Sequence, residues 1–484
     1  MSVSYRPYRL EILGNLRVKS AFHVGTGEDF HTSSDSPILR RGNVPGGEPY
    51  LPGSTLRGLL RAHLEREAPL LGCGAAELES LFGVVADQKT HFGRLEVRDA
   101  TAGVVPRTEI RDHVRIDGRT GAAAFGAKFD METGTEEAFS FAASYEGEGA
   151  SDRELLLVKE GIRFLASEAF HAGAKQGWGL GRMALDAKSM KVLAFDRSTP
   201  DGLCDYLGWR LNGTSPAALR EIPAEAVGGE VKAAEKAWNR VELELELQFE
   251  GPMLIKRAIP ADGAESEGVD LNDPETYWRK AEANADGRFV TTIAQNGRHY
   301  LPGTSFRGVL RHEAAWIAGE DAARMAEVEK LFGFAKAARE GEAGRISICD
   351  GELQGEARIV ALDHVAIDRI VGSAANGKKF DAAALASPCF RIKVAIQFEA
   401  EHRGLLRWVR ALLRQMESGR LWVGSASSRG YGLLKSGTVI AGKADLVDGL
   451  GWEPKGLLVV ERRPGRSVYD LRDGAAVAAL WGCM

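Results

Sequence analysis

Residues 50–61 read YLPGSTLRGLLR, and residues 300–311 read YLPGTSFRGVLR, with eight of twelve positions identical. The likeness extends outward from this stretch. LFG stands at 81–83 and again at 331–333. GRLEVRDA at 93–100 becomes GRISICDG at 344–351, and DHVRIDGRTGAAAFGAKFD at 112–130 becomes DHVAIDRIVGSAANGKKFD at 363–381. GAKQGWGLGR at 173–182 has a looser partner in GSASSRGYGLLK at 424–435. A repeat of so long a period means two copies of one domain, not a solenoid of short units. The boundaries it suggests are residues 1–210, a linker rich in Ala, Glu, Pro and Gly at 211–240, and residues 241–484 with a C-terminal extension.

Bulk properties narrow the class. A chain of 484 residues suits two domains of ordinary size. No apolar run reaches the length of a membrane span, and the first residues lack the apolar stretch of a signal peptide. Cys73, Cys204, Cys349, Cys389 and Cys483 are scattered without a CxxC pair. That pattern argues against structural zinc and a disulfide framework, and suits reduced thiols in a cytoplasmic protein. The formal charge is −5 and the pI about 6.1. A uniformly basic nucleic-acid binder is thereby excluded, whereas a local basic groove is not.

Periodicity supplies the elements. LEILGNLRVKSAFHV and VELELELQF read as the opening strand of each copy. A helix follows each YLPG, with Ser54 and Thr304 at the expected N-cap and Leu56, Leu59, Leu60 and Leu64, or Phe306, Val309 and Leu310, facing inward. RLEVRDA, RISICDG, FSFAASYE and FRIKVAIQFEAE read as strands, and LLLVKEGIRFLASEAF and HRGLLRWVRALLRQMESG as late helices. The order strand, helix, strands, helix, strand is the ferredoxin-like α+β pattern.

Several groups could carry chemistry. Arg57 and Arg61, and again Arg307 and Arg311, share a helix face beside an N-terminus whose Ser54, Thr55, Thr304 and Ser305 offer hydroxyls. That is a phosphate-binding arrangement; a solvated arginine pair is the plain alternative. The glycine-rich loops place Lys175 or Arg429 near a Gly-aromatic-Gly unit holding Trp178 or Tyr431. These aromatics suit base stacking or, more ordinarily, the core. The polar segment AFHVGTGEDFHTSSDSPILRRG carries His23, Glu28, Asp29, His31 and Asp35. Its residues suit acid–base work or a metal, or simply an Asx turn at Asp35. DHVRID and DHVAID repeat Asp112, His113 and Asp117 as Asp363, His364 and Asp368, read as structural polar contacts or RNA contacts. The segments that follow look like a projecting hairpin or loop.

In this order, DSPIL, YLPGSTLRGLLR, LFG, GRLEVRDA, DHVRID and GWGLG resemble the RAMP superfamily of CRISPR proteins. The resemblance is to the repeated backbone subunit of type III effector complexes, here as a type III-D-like fusion of two domains. It implies two tandem ferredoxin-like, modified RNA-recognition-motif domains with inserted thumb-like segments. It further implies partners: a CRISPR RNA, a target RNA and other type III effector subunits. Thumbs in the family splay one target base in about six, and an aspartate cuts beside it with Mg²⁺ or Mn²⁺ expected. Asp35 matches that aspartate, and His23 matches a histidine linked to RNA binding. Counting back from Tyr300 puts the second equivalent at 285, beside Asp286, with Asp262, Asp270 and Asp273 as competitors. The alternatives are a second domain that only binds RNA, a wholly non-catalytic scaffold, or an endoribonuclease that processes guide precursors.

Overall fold

Alternation builds the first strand, β1 (Tyr8–Val18), in which Leu10, Ile12 and Leu16 lie on one buried face. The structure is a computed structural model. It describes residues 6–26, 34–43, 47–86, 89–102, 108–117, 120, 123–135, 138–167, 169–212, 220–221, 223, 238–256, 289–291, 294–295, 298–335, 341–436, 440–441, 459–461 and 470–471. Two compact units divide the chain. One holds residues 1–113, 129–176 and 180–237, and the other holds 238–484 with 114–128 and 177–179.

In the first repeat, α1 (Gly53–Glu67) buries Leu56, Leu60 and Leu64 at four-residue spacing. The chain continues through α2 (Ala75–Phe82) and β2 (Leu95–Val97). It then leaves as a hairpin, β3 (Thr108–Ile116) and β4 (Ala123–Gly134), before β5 (Ala138–Gly147) returns to the sheet. Helix α3 (Glu154–Ala166), β6 (Met183–Leu185) and β7 (Lys191–Asp196) complete the domain. β1 pairs antiparallel with β5 on one side and with β6 and β7 on the other, while β2 pairs with β5. Helices α1 and α3 share one apolar core with Ile12, Leu95, Phe141 and Ala143 of the sheet. This is the ferredoxin-like architecture that the pattern predicts. Helix α2 and a last helix were not foreseen. Helix α4 (Pro200–Asn212) sets Tyr206 and Trp209 against Phe195, with ring centroids 5.4 and 5.6 Å apart.

The second repeat uses the same plan. β8 (Trp238–Glu250) is followed by β9 (Pro252–Met253) and β10 (Phe289–Thr291). Then come α5 (Gly303–Ala318), α6 (Ala322–Phe332) and β11 (Ile346–Ile348). The hairpin β12 (Ile359–Ile367) and β13 (Ala374–Ala386) precedes β14 (Cys389–Glu399), α7 (Leu406–Glu417) and β15 (Leu433–Leu434). β8 pairs with β14 and β15, and β11 pairs with β14. Helix α5 buries Phe306, Leu310 and Ala314 where α1 buries Leu56, Leu60 and Leu64. One position gains volume and another loses it, so close packing is kept.

No helix among the described residues is long and apolar enough to cross a membrane. The extension beyond residue 441 is described only at 459–461 and 470–471.

Candidate nucleic-acid interface

The repeated motifs meet at the start of α1 and α5, and they do so to pack. A Cβ on Gly53 would lie 2.2 Å from the Val97 carbonyl oxygen, and one on Gly303 would lie 2.3 Å from that of Ile348. Only glycine permits this approach of helix to strand. The N–H of Gly53 donates to Asp99 Oδ1 at 2.7 Å, and that of Gly303 to Asp350 Oδ1 at 2.9 Å. The cap is therefore an aspartate from a distant strand end. Ser54 and Thr304 lie inside the helix, and neither caps it; Pro52 and Pro302 hold that position. A carboxylate already sits where an anion would bind.

The arginines divide in the same way. Arg57 Nη2 donates to the Phe82 carbonyl at 2.6 Å, Nε donates to that of Leu95 at 3.2 Å, and the guanidinium lies 5.4 Å from the Phe82 ring. Arg307 clamps the Phe332 carbonyl likewise, its guanidinium 5.6 Å from that ring. Burial, with Arg311 adding repulsion, lowers the Arg307 pKa to about 10. Burial and then Arg61 lower that of Arg57. These two arginines read the LFG motifs, so the expected double-guanidinium phosphate grip does not assemble. Arg61 and Arg311 are exposed, Arg61 beside Glu65 at 2.8 Å. A surface pair this open is easily exchanged for a phosphate. Thr55 and Ser305 are half-buried in the first helical turn.

A second convergence lies, among the described residues, in the first repeat. His23 is buried. Its Nδ1–H donates to the Glu132 carbonyl at 2.7 Å, which leaves Nε2 to accept from the Ser36 hydroxyl at 3.2 Å. Burial lowers the His23 pKa, against the Glu132 carbonyl, and the Lys175 charge lowers it further. The ring is thus a neutral anchor inside the domain, not a surface group facing RNA. Residues 35–40 run along β4. The Glu132 N–H donates to the Ser36 carbonyl at 3.0 Å, Ile38 N–H donates to Glu132 Oε2 at 2.9 Å, and Arg40 pairs with Glu132. Asp35 N–H donates to Asp130 Oδ1 at 2.7 Å, and Asp130 N–H donates to Asp35 Oδ2 at 3.0 Å. Asp35 is exposed. The glycine-rich loop closes a third side. Ala174 N–H donates to the His23 carbonyl at 2.8 Å, and a Cβ on Gly173 would lie 2.3 Å from that oxygen. Lys175 adopts φ +59°, is exposed, and sets its ammonium 6.0 Å from the Phe129 ring.

An exposed carboxylate fixed by β4, in a region built by three segments distant in sequence, suits a phosphodiester. The RAMP superfamily model matches residues 15–184 and 252–435, well over half of the chain. The chain belongs to the RAMP superfamily. A curated relative is the protein named CRISPR system Cms endoribonuclease Csm3 of Methanothermobacter thermautotrophicus. It is 26% identical over 214 residues, which cover 37% of this chain and 84% of that protein.

The two RAMP repeats align through their backbones. Lys175 and Ala426 both take left-handed φ, +59° and +63°, and Gly173, Gly179 and Gly181 match Gly424, Gly430 and Gly432. By this register Trp178 corresponds to Arg429, and Leu180 to Tyr431. The two Gly-aromatic-Gly units are therefore not equivalent. Trp178 is half-buried and Arg429 exposed. Tyr431 is only 2% exposed, which removes it as a base platform, and its hydroxyl lies 2.6 Å from His364 Nε2. Burial raises its pKa. Ser425 N–H donates to the Leu254 carbonyl at 2.7 Å, as Ala174 does to His23, so Leu254 stands at the His23 position.

Strand register also locates the counterpart of Asp35. β10 runs parallel to β13 with Phe289 opposite Asp381, and Asp381 ends the KFD that matches Lys128–Asp130. Phe289 thus holds the place that Asp35 holds beside Asp130. This corrects the count that led to 285. Asp286, Asp262, Asp270 and Asp273 lie outside the described residues, as do Glu28, Asp29 and His31.

The DHV–ID motifs serve the hairpins. Asp117 Oδ1 accepts Thr120 N–H at 2.8 Å, and Asp368 Oδ1 accepts Ile370 and Val371 N–H at 2.8 and 3.1 Å. His113 stacks on Phe129 at 5.1 Å. Sequence reasoning missed Asp99, Asp350, Asp130 and Glu132. The repeated RDA/CDG and KFD triplets were the available signal.

Proposed function

We propose that this chain is a backbone subunit of a type III CRISPR ribonucleoprotein in the cytoplasm, gripping the guide RNA and cutting complementary target RNA with Asp35. The observation that carries the reading is the Asp35 carboxylate, exposed yet fixed by β4 in a RAMP domain. The name of the curated relative, an endoribonuclease of a CRISPR system, agrees. The hairpins support it as thumbs. At the β12–β13 tip, Ile370 is 95% and Val371 72% exposed on a turn closed by Asp368, and on β4 Phe125 is fully exposed. Apolar residues on a projecting turn suit insertion between bases, splaying one of them.

With a base splayed, the adjacent 2′-oxygen attacks its own 3′-phosphorus and the bond to the 5′-oxygen breaks. The proton leaves the 2′-hydroxyl for a base, and the departing 5′-oxygen takes one up. Products end in a 2′,3′-cyclic phosphate and a 5′-hydroxyl. Asp35 orients or accepts the first proton through Oδ1, and Lys175 balances phosphate charge. Arg61, Arg311 and Arg429 hold backbone phosphates, and Trp178 offers a ring to a base. Asp35 Oδ1 has no partner among the described residues, and a hard carboxylate oxygen suits Mg²⁺ or Mn²⁺, which binds through one or two carboxylates plus phosphate oxygens. When bound, such an ion stabilises charge on the phosphorane.

The test is Asp35→Ala in the assembled complex. Lost cleavage with retained guide RNA supports the reading. Unchanged cleavage makes the chain a scaffold. Cutting of repeat RNA without target would instead show guide-precursor processing. Purification of the complex with no absorbance excess near 260 nm would overturn RNA binding altogether.

A further inference from the structure

Asp130 sits on β4, inside the KFD triplet that both repeats keep. Its Oδ1 accepts the Asp35 N–H at 2.7 Å, and its own N–H donates to Asp35 Oδ2 at 3.0 Å. This reciprocal pair has two effects. It fixes the backbone of residue 35, and it engages Oδ2 of the carboxylate, leaving Oδ1 with no partner among the described residues. A loop residue otherwise samples several rotamers, and catalytic groups lose rate steeply when displaced by about 1 Å.

We infer that Asp130 is a positioning residue for Asp35, acting as a hydrogen-bond acceptor through the Asp35 amide; this rests on the cleavage reading above. The neighbouring contacts define what it alone supplies. Glu132 pins Ser36, Ile38 and Arg40, and His23 pins Ser36. Those contacts set the path of the segment. Asp130 meets residue 35 itself. An acceptor suffices for this role, and a negative charge is not required. Asparagine keeps a carbonyl oxygen at the same place, whereas alanine keeps none.

The experiment compares Asp130→Ala with Asp130→Asn in the full chain assembled on its guide RNA. Two readouts are taken: single-turnover target cleavage, and hydrogen exchange of the peptide containing Asp35. Asp130→Ala is expected to slow cleavage by about 10- to 100-fold with unchanged guide content and target affinity. Exchange at Asp35 should rise about tenfold or more. Asp130→Asn should restore both to within about threefold of wild type. Wild-type cleavage in Asp130→Ala, or equal loss in the two variants, overturns the inference. Equal loss would make Asp130 a charge-bearing or cation-holding group. Exchange separates this failure from failure of the cleavage reading. If Asp35→Ala cuts normally, that reading falls, while faster exchange in Asp130→Ala with protection in Asp130→Asn still upholds the contact.

Discussion

The two repeats share their strands, their helix caps and their arginine clamps, yet one wall beside the hairpin differs in kind. In the first repeat that wall is His23, Asp35, Glu132 and Thr133, and in the second the corresponding backbone positions hold Leu254, Phe289, Ala383 and Ala384. Leu254, Ala382, Ala384 and Tyr431 form a small apolar cluster there. A histidine with both ring nitrogens engaged fixes a polar loop in one direction, while a leucine only fills space. The architecture was kept in both copies, while the polar groups of that wall stand in the first. Much of what the repeats preserve jointly is folding machinery: the glycine approach, the aspartate cap and the arginine clamp.

Removing the carboxylate of the first repeat breaks the comparison most sharply. Asp35→Ala is expected to reduce target cleavage by about 10²–10⁴-fold, and Asp286→Ala to leave it unchanged. Gel analysis of the products checks both, and a fragment lost only with Asp286→Ala would restore an active second repeat. The shared part comes next. Gly53→Ala or Gly303→Ala drives a Cβ into a carbonyl in either repeat, and each should destabilise its domain by about 3 kcal/mol or more, read as an earlier unfolding transition. Arg57→Leu and Arg307→Leu remove charged hydrogen bonds to Phe82 and Phe332, at a cost of about 1.5–3 kcal/mol each. Equal shifts in the two repeats are the expected result.

A smaller effect probes the anchor. His23→Leu gives the first repeat the residue of the second and should slow cleavage about tenfold, or about 1.4 kcal/mol, with guide binding intact. Burial, then the charge of Lys175, hold the His23 pKa below 6.5. An unfolded loop takes a proton near pH 6.5 and the folded one resists. The stabilisation is therefore present above that pH and is lost as pH falls below it. Wild-type activity should sag as pH falls below that value, and the His23→Leu variant should lose that added acid sensitivity. Smallest of all, Arg61→Ala should lower the salt slope of RNA binding by about one unit with no change in fold.

Much of this was legible in residue order. Periodic leucines placed α1 and α3, alternation placed β1 and β8, and the long repeat gave the duplication. The uses of the repeated polar residues were not legible. Arg57 looks like a phosphate ligand until Phe82 is seen beneath it, because a carbonyl acceptor leaves no trace in side-chain identity. Asp99 lies 46 positions from the amide it caps, beyond the reach of a local capping rule. Tyr431 and Trp178 share a glycine frame in sequence, and only backbone φ angles show that they are out of step. Asp35 was found through family resemblance, since composition alone allowed an ordinary turn there.

The exchange of Leu56 and Leu64 for Phe306 and Ala314 bears on how the chain assembles. Tandem domains of one fold risk pairing a helix from one copy with the sheet of the other. The arginine clamps cannot prevent this, because either arginine would accept either LFG. The core volumes can. Helix α5 on the first sheet would press a phenylalanine into space shaped for leucine and leave a void at the alanine, both unfavourable. Packing alone therefore disfavours a helix seated on the other copy's sheet.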